Sequence, residues 1–213
     1  MSRLYPAMLR IARRRCVVVG GGRVAGRKVA PLLEAGATVL LIAPSCGPEL
    51  EALAKQGRVR WELGGYRSGD LEGAALAFAA TDSPAVNAAV AAEAETRDIP
   101  VNVADDPAAS TFHVPAVVER DGLLLTVSTG GRSPAFARRL RLELEALLSP
   151  ERLALLELYA ELRASLGEQD SRPDGLAWEA ADERALELLR AGRPDQARQV
   201  LKQQVLAAAG SEA

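Results

Sequence analysis

Cys16-Val17-Val18-Val19-Gly20-Gly21-Gly22-Arg23-Val24-Ala25 decides how the rest of this chain is read. Its first four residues are an apolar, β-branched run, the pattern of a buried strand. The run stops at three glycines, and Val24 to Ala35 resumes with helical spacing before Gly36, a helix stop. A turn of the form G-x-G-x-x-A between strand and helix has a physical purpose. Gly20 permits the tight turn, Gly22 lets a pyrophosphate approach bare backbone, and Ala25 lets the helix pack closely on the strand. The helix N-terminus then faces the phosphates. The stretch predicts a nicotinamide dinucleotide on a Rossmann-type domain, against the plainer alternative of a glycine turn with no ligand.

Outward from this loop the pattern repeats. Thr38 to Ile42 reads as a second apolar strand, halted by Ala43-Pro44-Ser45, and Glu49 to Gln56 reads as a helix ending at Gly57. Val59 to Leu63 is a third strand, and Leu76 to Ala80 a fourth that ends at Thr81-Asp82. Ala85 to Arg97 is an Ala-rich helix with Pro84 near its start, and Ile99 to Val103 is a fifth strand. Strands alternating with helices at this spacing imply an α/β fold with a parallel sheet covered on both faces.

After Asp106 the pattern changes. Val114 to Val118 and Leu123 to Ser128 are β-rich runs joined by Glu119-Arg120-Asp121-Gly122, and Asp-Gly between such runs signals a hairpin. Ser133 as N-cap and Pro134 in the first turn open a helix to about Leu148. A second helix spans about Glu151 to Leu166, and the polar stretch from Gly167 to Gly175 reads as a linker. Two more helices follow, Ala177 to Arg190 and Pro194 to Ala209, broken at Gly192-Arg193-Pro194.

Ligands of open α/β sheets sit beyond the carboxyl ends of the strands. The second strand lacks the Asp or Glu that usually holds the ribose 2′-hydroxyl, and no arginine stands there for a 2′-phosphate. NAD is expected over NADP, with Arg23 keeping NADP open. Thr81-Asp82 either caps the following helix or touches the cofactor. Asn102-Val103-Ala104-Asp105-Asp106-Pro107 follows the fifth strand. Its paired acids are either turn residues or the source of a general base beside the cofactor cleft.

Ser128-Thr129-Gly130-Gly131-Arg132-Ser133-Pro134 is the second informative loop. It is glycine-rich, leads into a helix, and is followed by Arg138, Arg139 and Arg141. Helix N-termini and arginines both suit anionic groups, although a routinely capped, solvated helix face gives the same pattern. His113, the only histidine, sits between Phe112 and Val114 and reads more readily as packed than catalytic. Trp61, Tyr66 and Trp178 read as core or interface residues.

Composition excludes several classes. With 213 residues, 48% hydrophobic and 25% charged, the chain can bury a sizeable core. A formal net charge of −2 argues against a general nucleic-acid binder. Cys16 and Cys46 are the only cysteines, too few for a disulfide framework, and no Cys/His cluster suggests a bound metal. The N-terminus through Arg15 holds no signal-peptide stretch, and no run approaches the roughly 18 apolar residues of a membrane helix. A soluble, cytoplasmic protein without nucleic-acid or membrane partners is expected.

These pieces, in this order, resemble the precorrin-2 dehydrogenase family, of the N-terminal siroheme synthase type. The resemblance rests on residues Val19 to Lys28, Ala80-Thr81-Asp82 with Asn87, Val101 to Pro107, Phe112-His113-Val114-Pro115-Ala116, and Ser128 to Pro134 with Arg141. It covers residues 4–148 well and the helical C-terminus loosely. It implies NAD-dependent oxidation of precorrin-2 to sirohydrochlorin in siroheme synthesis, and some members also insert ferrous iron as sirohydrochlorin ferrochelatases. It implies three parts: a Rossmann domain over 1–112, a small α+β dimerisation segment over 113–148, and a helical part over 149–213. It further implies a homodimer with the active site near the subunit boundary. Its catalytic aspartate falls on Asp105, and its NAD contacts fall on Arg23 and Val24 and on Pro44 and Ser45. Gly20, Gly22, Ala25, Thr81, Asp82 and Asn102 complete the expected cofactor set. Ser128, Thr129, Gly130, Gly131, Arg132, Ser133, Arg138 and Arg139 form the expected tetrapyrrole set. The family commonly carries cysteine or serine after Asp-Asp-Pro, where Ser110-Thr111 stands here, and Thr129 falls where one branch has a phosphorylated serine. Because the sequence ends at Ala213, the methyltransferase domain of some relatives is expected to be absent. The rival reading is a nicotinamide-sensing module without chemistry, which leaves Asp105 and the Gly130-Gly131 turn without a purpose.

Overall fold

The computed structural model describes residues 4–166 and 175–210. The stretch read as a linker, apart from Gly175, lies outside the described residues, as does the side chain of Trp178. The chain divides into two compact units, one comprising residues 1–114 and 130–132, the other 115–129 and 133–213.

The first unit alternates strand and helix as expected: β1 (Arg15–Val19), α1 (Arg23–Glu34), β2 (Thr38–Ala43), α2 (Pro48–Lys55), β3 (Val59–Leu63), β4 (Leu76–Ala79), α3 (Pro84–Thr96) and β5 (Val101–Val103). The five strands are parallel, in the order β3-β2-β1-β4-β5. Their pleat sorts the core. Cys16 and Val18 share one buried cluster with Ala25, Val29 and Leu32 of α1. Val17 and Val19 share another with Val90 and Ala94 of α3. Both faces are thereby covered, which is why these strands read as continuous apolar runs. The fifth strand is shorter than expected: Pro100 has no N–H to give the ladder, so pairing in register begins at Val101. The chain winds outward from β1 to β2 and β3, then crosses to the other side of β1 as β4. The reversal between β1 and β4 is the switch point where such sheets open a crevice.

The second unit holds an antiparallel hairpin, β6 (Ala116–Arg120) and β7 (Leu123–Val127), and the helices α4 (Pro134–Ala146), α5 (Pro150–Leu166), α6 (Gly175–Arg190) and α7 (Pro194–Gly210). The hairpin corrects the sequence reading by two residues. Arg120 pairs with Leu123, so Glu119 and Arg120 belong to the strand and the turn is Asp121-Gly122 alone. Asp121 at φ 47° and Gly122 at φ 80° are both left-handed, the requirement of a two-residue turn matched to strand twist. Leu155, Leu158 and Leu162 recur at helical spacing along α5 and form a core with Ala185, Leu188, Ala197 and Leu201. Among the described residues no helix is long and apolar enough to cross a membrane.

Candidate functional site

The glycine loop occupies the switch point of the first unit. Gly20 has φ +121°, and a Cβ there would stand 2.2 Å from the Ala80 carbonyl oxygen, so the loop presses on the end of β4. Gly20 N–H donates to Ile42 O and Gly47 N–H to Gly21 O, each at 2.9 Å, which ties the loop to the end of β2. Gly22 is different. Nothing lies within 4 Å of its would-be Cβ, and it is the N-cap of α1 with no side-chain cap and no acid in the first turn. An open backbone over uncapped helix amides, with exposed Arg23 beside it, suits a pyrophosphate. Ala25, fully buried, packs the helix onto the sheet below. The residues present therefore fit a dinucleotide. Val24 is half-buried on the helix, while Pro44 and Ser45 are exposed in the turn after β2.

At the end of β4, Thr81 and Asn87 lock together. Thr81 N–H and Oγ1 donate to Asn87 Oδ1 at 3.2 and 2.8 Å, and Asn87 Nδ2 donates to Thr81 O at 3.0 Å. The N-cap of α3 is neither Thr81 nor Asp82 but Ser83, whose Oγ accepts the Val86 N–H at 3.4 Å. Asp82 is exposed.

The loop after β5 separates the two acids. Asp106 Oδ1 accepts the N–H groups of Ala108 and Ala109, both at 3.0 Å, and so makes the turn. Asp105 is exposed and left-handed at φ 60°, a conformation that costs a non-glycine residue on the order of 1 kcal/mol. Among the described residues nothing donates a hydrogen bond to its carboxylate. The loop is braced elsewhere: Val101 N–H to Thr111 Oγ1 at 2.8 Å, Val103 N–H to Ser110 Oγ at 2.9 Å, and Asn102 Nδ2 to Phe112 O at 3.1 Å.

One half-buried cation near this end of the sheet has no role in the sequence reading. Lys28 of α1 is half-buried, and its Nζ stands 5.9 Å from the centroid of the Phe78 ring. Phe112 meets the same ring edge-on, with centroids 5.4 Å apart. Burial pushes the Lys28 ammonium below the ordinary lysine range and Arg27 pushes the same way, whereas Asp105 opposes both. The signal for Lys28 was its spacing. It falls three residues after Ala25 and four before Leu32, a cation on the buried face of an amphipathic helix.

Gly130-Gly131-Arg132 belongs to the first unit with these groups. A Cβ on Gly131 would lie 3.8 Å from Pro107 Cβ and 3.9 Å from His113 Cε1, so the turn rests against the Asp105 loop and the half-buried histidine. Ser128, Thr129, Ser133, Arg138 and Arg139 belong to the second unit. There Thr129 Oγ1 accepts the Ser133 N–H at 3.1 Å, and Ser133 caps α4 by accepting the Phe136 N–H at 3.2 Å. Arg139 pairs with Glu143 at 3.0 Å and Arg141 with Glu145 at 2.9 Å. Arg138 and Arg139, being consecutive, point about 100° apart round the helix. The aromatic residues are structural: Trp61 Nε1 donates to Ala43 O at 3.0 Å, and the Tyr66 hydroxyl donates to Glu93.

Residues 7–116, just over half of the chain, match the family described as putative NAD(P)-binding. This chain belongs to that family. Residues 120–147 match the model described as sirohaem biosynthesis protein, central. The chain is 38% identical over 208 residues to a siroheme synthase of Methylobacillus flagellatus, covering 96% of this chain and 44% of that protein. It is 40% identical over 210 residues to a siroheme synthase of Methylococcus capsulatus, covering 97% and 44% respectively. It thus spans less than half the length of either relative. A solved structure titled SirC, precorrin-2 dehydrogenase, superposes with a TM-score of 0.69 at 24% identity, over 94% of this chain and 98% of that one. That likeness shows a shared fold for this member of the NAD(P)-binding family.

Proposed function

We propose that this chain is an NAD-dependent dehydrogenase that oxidises precorrin-2 to sirohydrochlorin in siroheme synthesis. The observation that carries the reading is that the loops after β1 and β5 leave the same, carboxyl edge of the parallel sheet. A glycine loop open at Gly22, an exposed Asp105 in a left-handed conformation, and the Gly130-Gly131 turn lie on connected segments, the last against Pro107 and His113. The siroheme-related matches of the comparisons favour a tetrapyrrole as the substrate.

Dehydrogenation removes a hydride and a proton, and the dinucleotide, when bound, supplies the hydride acceptor. Gly20, Gly22, Arg23 and Val24 would hold it at the helix N-terminus that buried Ala25 seats on the sheet, with Pro44 and Ser45 as its contacts after β2. Thr81 and Asp82 after β4, and Asn102 on β5, would complete its contacts. Asp105 takes the proton, a task suited to a carboxylate that no donor among the described residues occupies. The Ser128–Ser133 loop with Arg132, Arg138 and Arg139 receives the carboxylates of the macrocycle, where arginine forks bind two oxygens at once. Ferrous iron insertion into sirohydrochlorin is the extension of this reading, with Asp105 accepting the pyrrole protons and His113 assisting.

In this reading residues 1–112 bind the dinucleotide, 113–148 dimerise and 149–213 form a helical part. Val117, Leu124, Phe136 and Leu142 are large apolar residues left exposed on the hairpin and α4, which supports a homodimer through that segment. The protein acts in the cytoplasm. The test is to supply purified protein with precorrin-2 and NAD or NADP in turn. NADH formation is expected. Dinucleotide binding with no oxidation of precorrin-2 would favour the sensing module instead.

A further inference from the structure

In a parallel sheet, alternate residues of a central strand turn their N–H and C=O groups to opposite neighbours. β4 follows this rule. Ala77 N–H donates to Pro100 O at 2.9 Å and Ala79 O accepts the Ala104 N–H at 2.8 Å, both on the β5 side. Ala80 N–H donates to Val19 O at 2.8 Å, on the β1 side. Thr81, two residues beyond Ala79, therefore faces β5. Continued in the same register, the ladder would join Thr81 N–H to Ala104 O and Thr81 O to the Asp106 N–H. The ladder stops instead. Asp105 turns left-handed at φ 60°, and the Asp106 N–H goes to Val103 O at 3.3 Å. Both backbone groups of Thr81 are left without a strand partner, a cost for half-buried backbone.

Asn87 supplies both partners. Its Oδ1 accepts the Thr81 N–H at 3.2 Å and the Thr81 hydroxyl at 2.8 Å, and its Nδ2 donates to Thr81 O at 3.0 Å. A side-chain amide offers a donor and an acceptor side by side, as a strand backbone does. α3 delivers it: Asn87 lies near the helix start, its N–H donating to Ser83 O at 3.0 Å. It is the one amide side chain in a helix otherwise made of Pro, Ala, Val, Glu and Thr. Asn is a weaker helix former than the alanines around it, so its place is explained by Thr81 and not by the helix.

We propose that Asn87 is a positioning residue for the dinucleotide, an inference that rests on the dinucleotide site of the proposed function. Its amide stands in for the stretch of β5 that is missing and holds the Ala80–Thr81 backbone against the glycine loop. The fit there has no slack: a Cβ on Gly20 would lie 2.2 Å from Ala80 O and 3.2 Å from Thr81 N. A displacement of Thr81 therefore disturbs the loop and one of the residues assigned to the cofactor together, and binding sites tolerate only about half an ångström of such looseness. The same amide closes the ladder at Thr81, so the chain after Ala104 leaves the sheet and the Asp105 turn forms where it does.

The test is the NAD affinity of the full chain by calorimetry, with Asn87→Ala and the similarly sized, uncharged Asn87→Leu beside wild type. Both variants should raise Kd about tenfold or more, since binding must then order what the amide had already ordered. With precorrin-2 as substrate, KM for NAD should rise likewise, while kcat at saturating NAD and KM for precorrin-2 stay within about twofold. Hydrogen exchange followed by NMR should show the Thr81 amide exchanging about tenfold faster or more in the variants, with the Ala80 amide, bonded to Val19, at its wild-type rate. A lower Tm with unchanged Kd overturns the inference, because Asn87 would then serve the fold alone. A lowered kcat with KM for NAD unchanged overturns it too, and so does failure of both variants to fold; if only Asn87→Ala fails, Asn87→Leu decides. A wild type that oxidises precorrin-2 alongside variants that bind NAD equally well sinks the inference and leaves the proposed function standing. NAD binding without oxidation of precorrin-2 overturns the proposed reaction, and the inference is then decided by Kd. A wild type that binds neither NAD nor NADP removes the dinucleotide site and this inference with it.

Discussion

Gly21 and Ser45 meet backbone to backbone: a methyl group on Gly21 would stand 1.9 Å from the Ser45 carbonyl oxygen and 2.9 Å from Cys46 Cα. The middle glycine of the loop is therefore a packing requirement of the β2 turn, whereas Gly22 faces open space. The two positions separate folding from binding. Gly21→Ala should destabilise the protein by about 1–3 kcal/mol or more, read as a lower Tm, because neither backbone can yield without moving a strand end. Gly22→Ala should leave Tm nearly unchanged and weaken NAD binding about tenfold or more by calorimetry, because only the ligand needs that bare backbone. Equal stability of the two variants would contradict this division.

The contrast also marks what the chain displayed before its structure. The strand–glycine–helix run and the apolar strands were legible because each local pattern agrees with a sheet buried on both faces. The motif G-x-G-x-x-A leaves its second position open, so the tight approach of Gly21 to Ser45 was not readable: it depends on where the β2 turn lies in space. The same holds for Asp105 and Asp106. Side by side they offered either turn or base, and only the amides of Ala108 and Ala109 assign the turn to Asp106. Lys28 is not readable as a placed cation because its setting is tertiary, a ring contributed by β4. Ser83 was hidden as the cap of α3 because Thr81 and Asp82 stand just before it with equal capping chemistry.

Acid should loosen the first unit through Glu93. Burial alone would raise its carboxyl, but hydrogen bonds from the Tyr66 hydroxyl, Gly69 N–H (2.9 Å) and Arg97 Nε (2.8 Å) hold it below the ordinary glutamate range. A carboxylate depressed in the folded state contributes stability above its unfolded pKa, and that stability disappears as pH falls through the folded value. Tyr66→Phe removes one donor and should cost about 1–2 kcal/mol at neutral pH by denaturant titration, with acid unfolding beginning at a higher pH. Identical acid midpoints for wild type and Tyr66→Phe would argue against Glu93 as the anchor.

Arg138 and Arg139 should act on substrate capture and not on stability. Both are exposed, and the Arg139–Glu143 pair is a surface i,i+4 bridge worth little to the fold. Replacing both by Ala should raise KM for precorrin-2 about tenfold or more while kcat and Tm stay close to wild type. An unchanged KM would confine both arginines to the solvated helix face.

The central claim is that Asp105 removes a proton while NAD accepts the hydride, and one comparison tests it most directly. Wild type and Asp105→Asn are given the same precorrin-2 and NAD, NADH formation is followed, and NAD affinity is measured on both. The account predicts turnover by the wild type, and in Asp105→Asn a loss on the order of a hundredfold or more with NAD affinity within a few-fold. Full NADH formation by Asp105→Asn would contradict it.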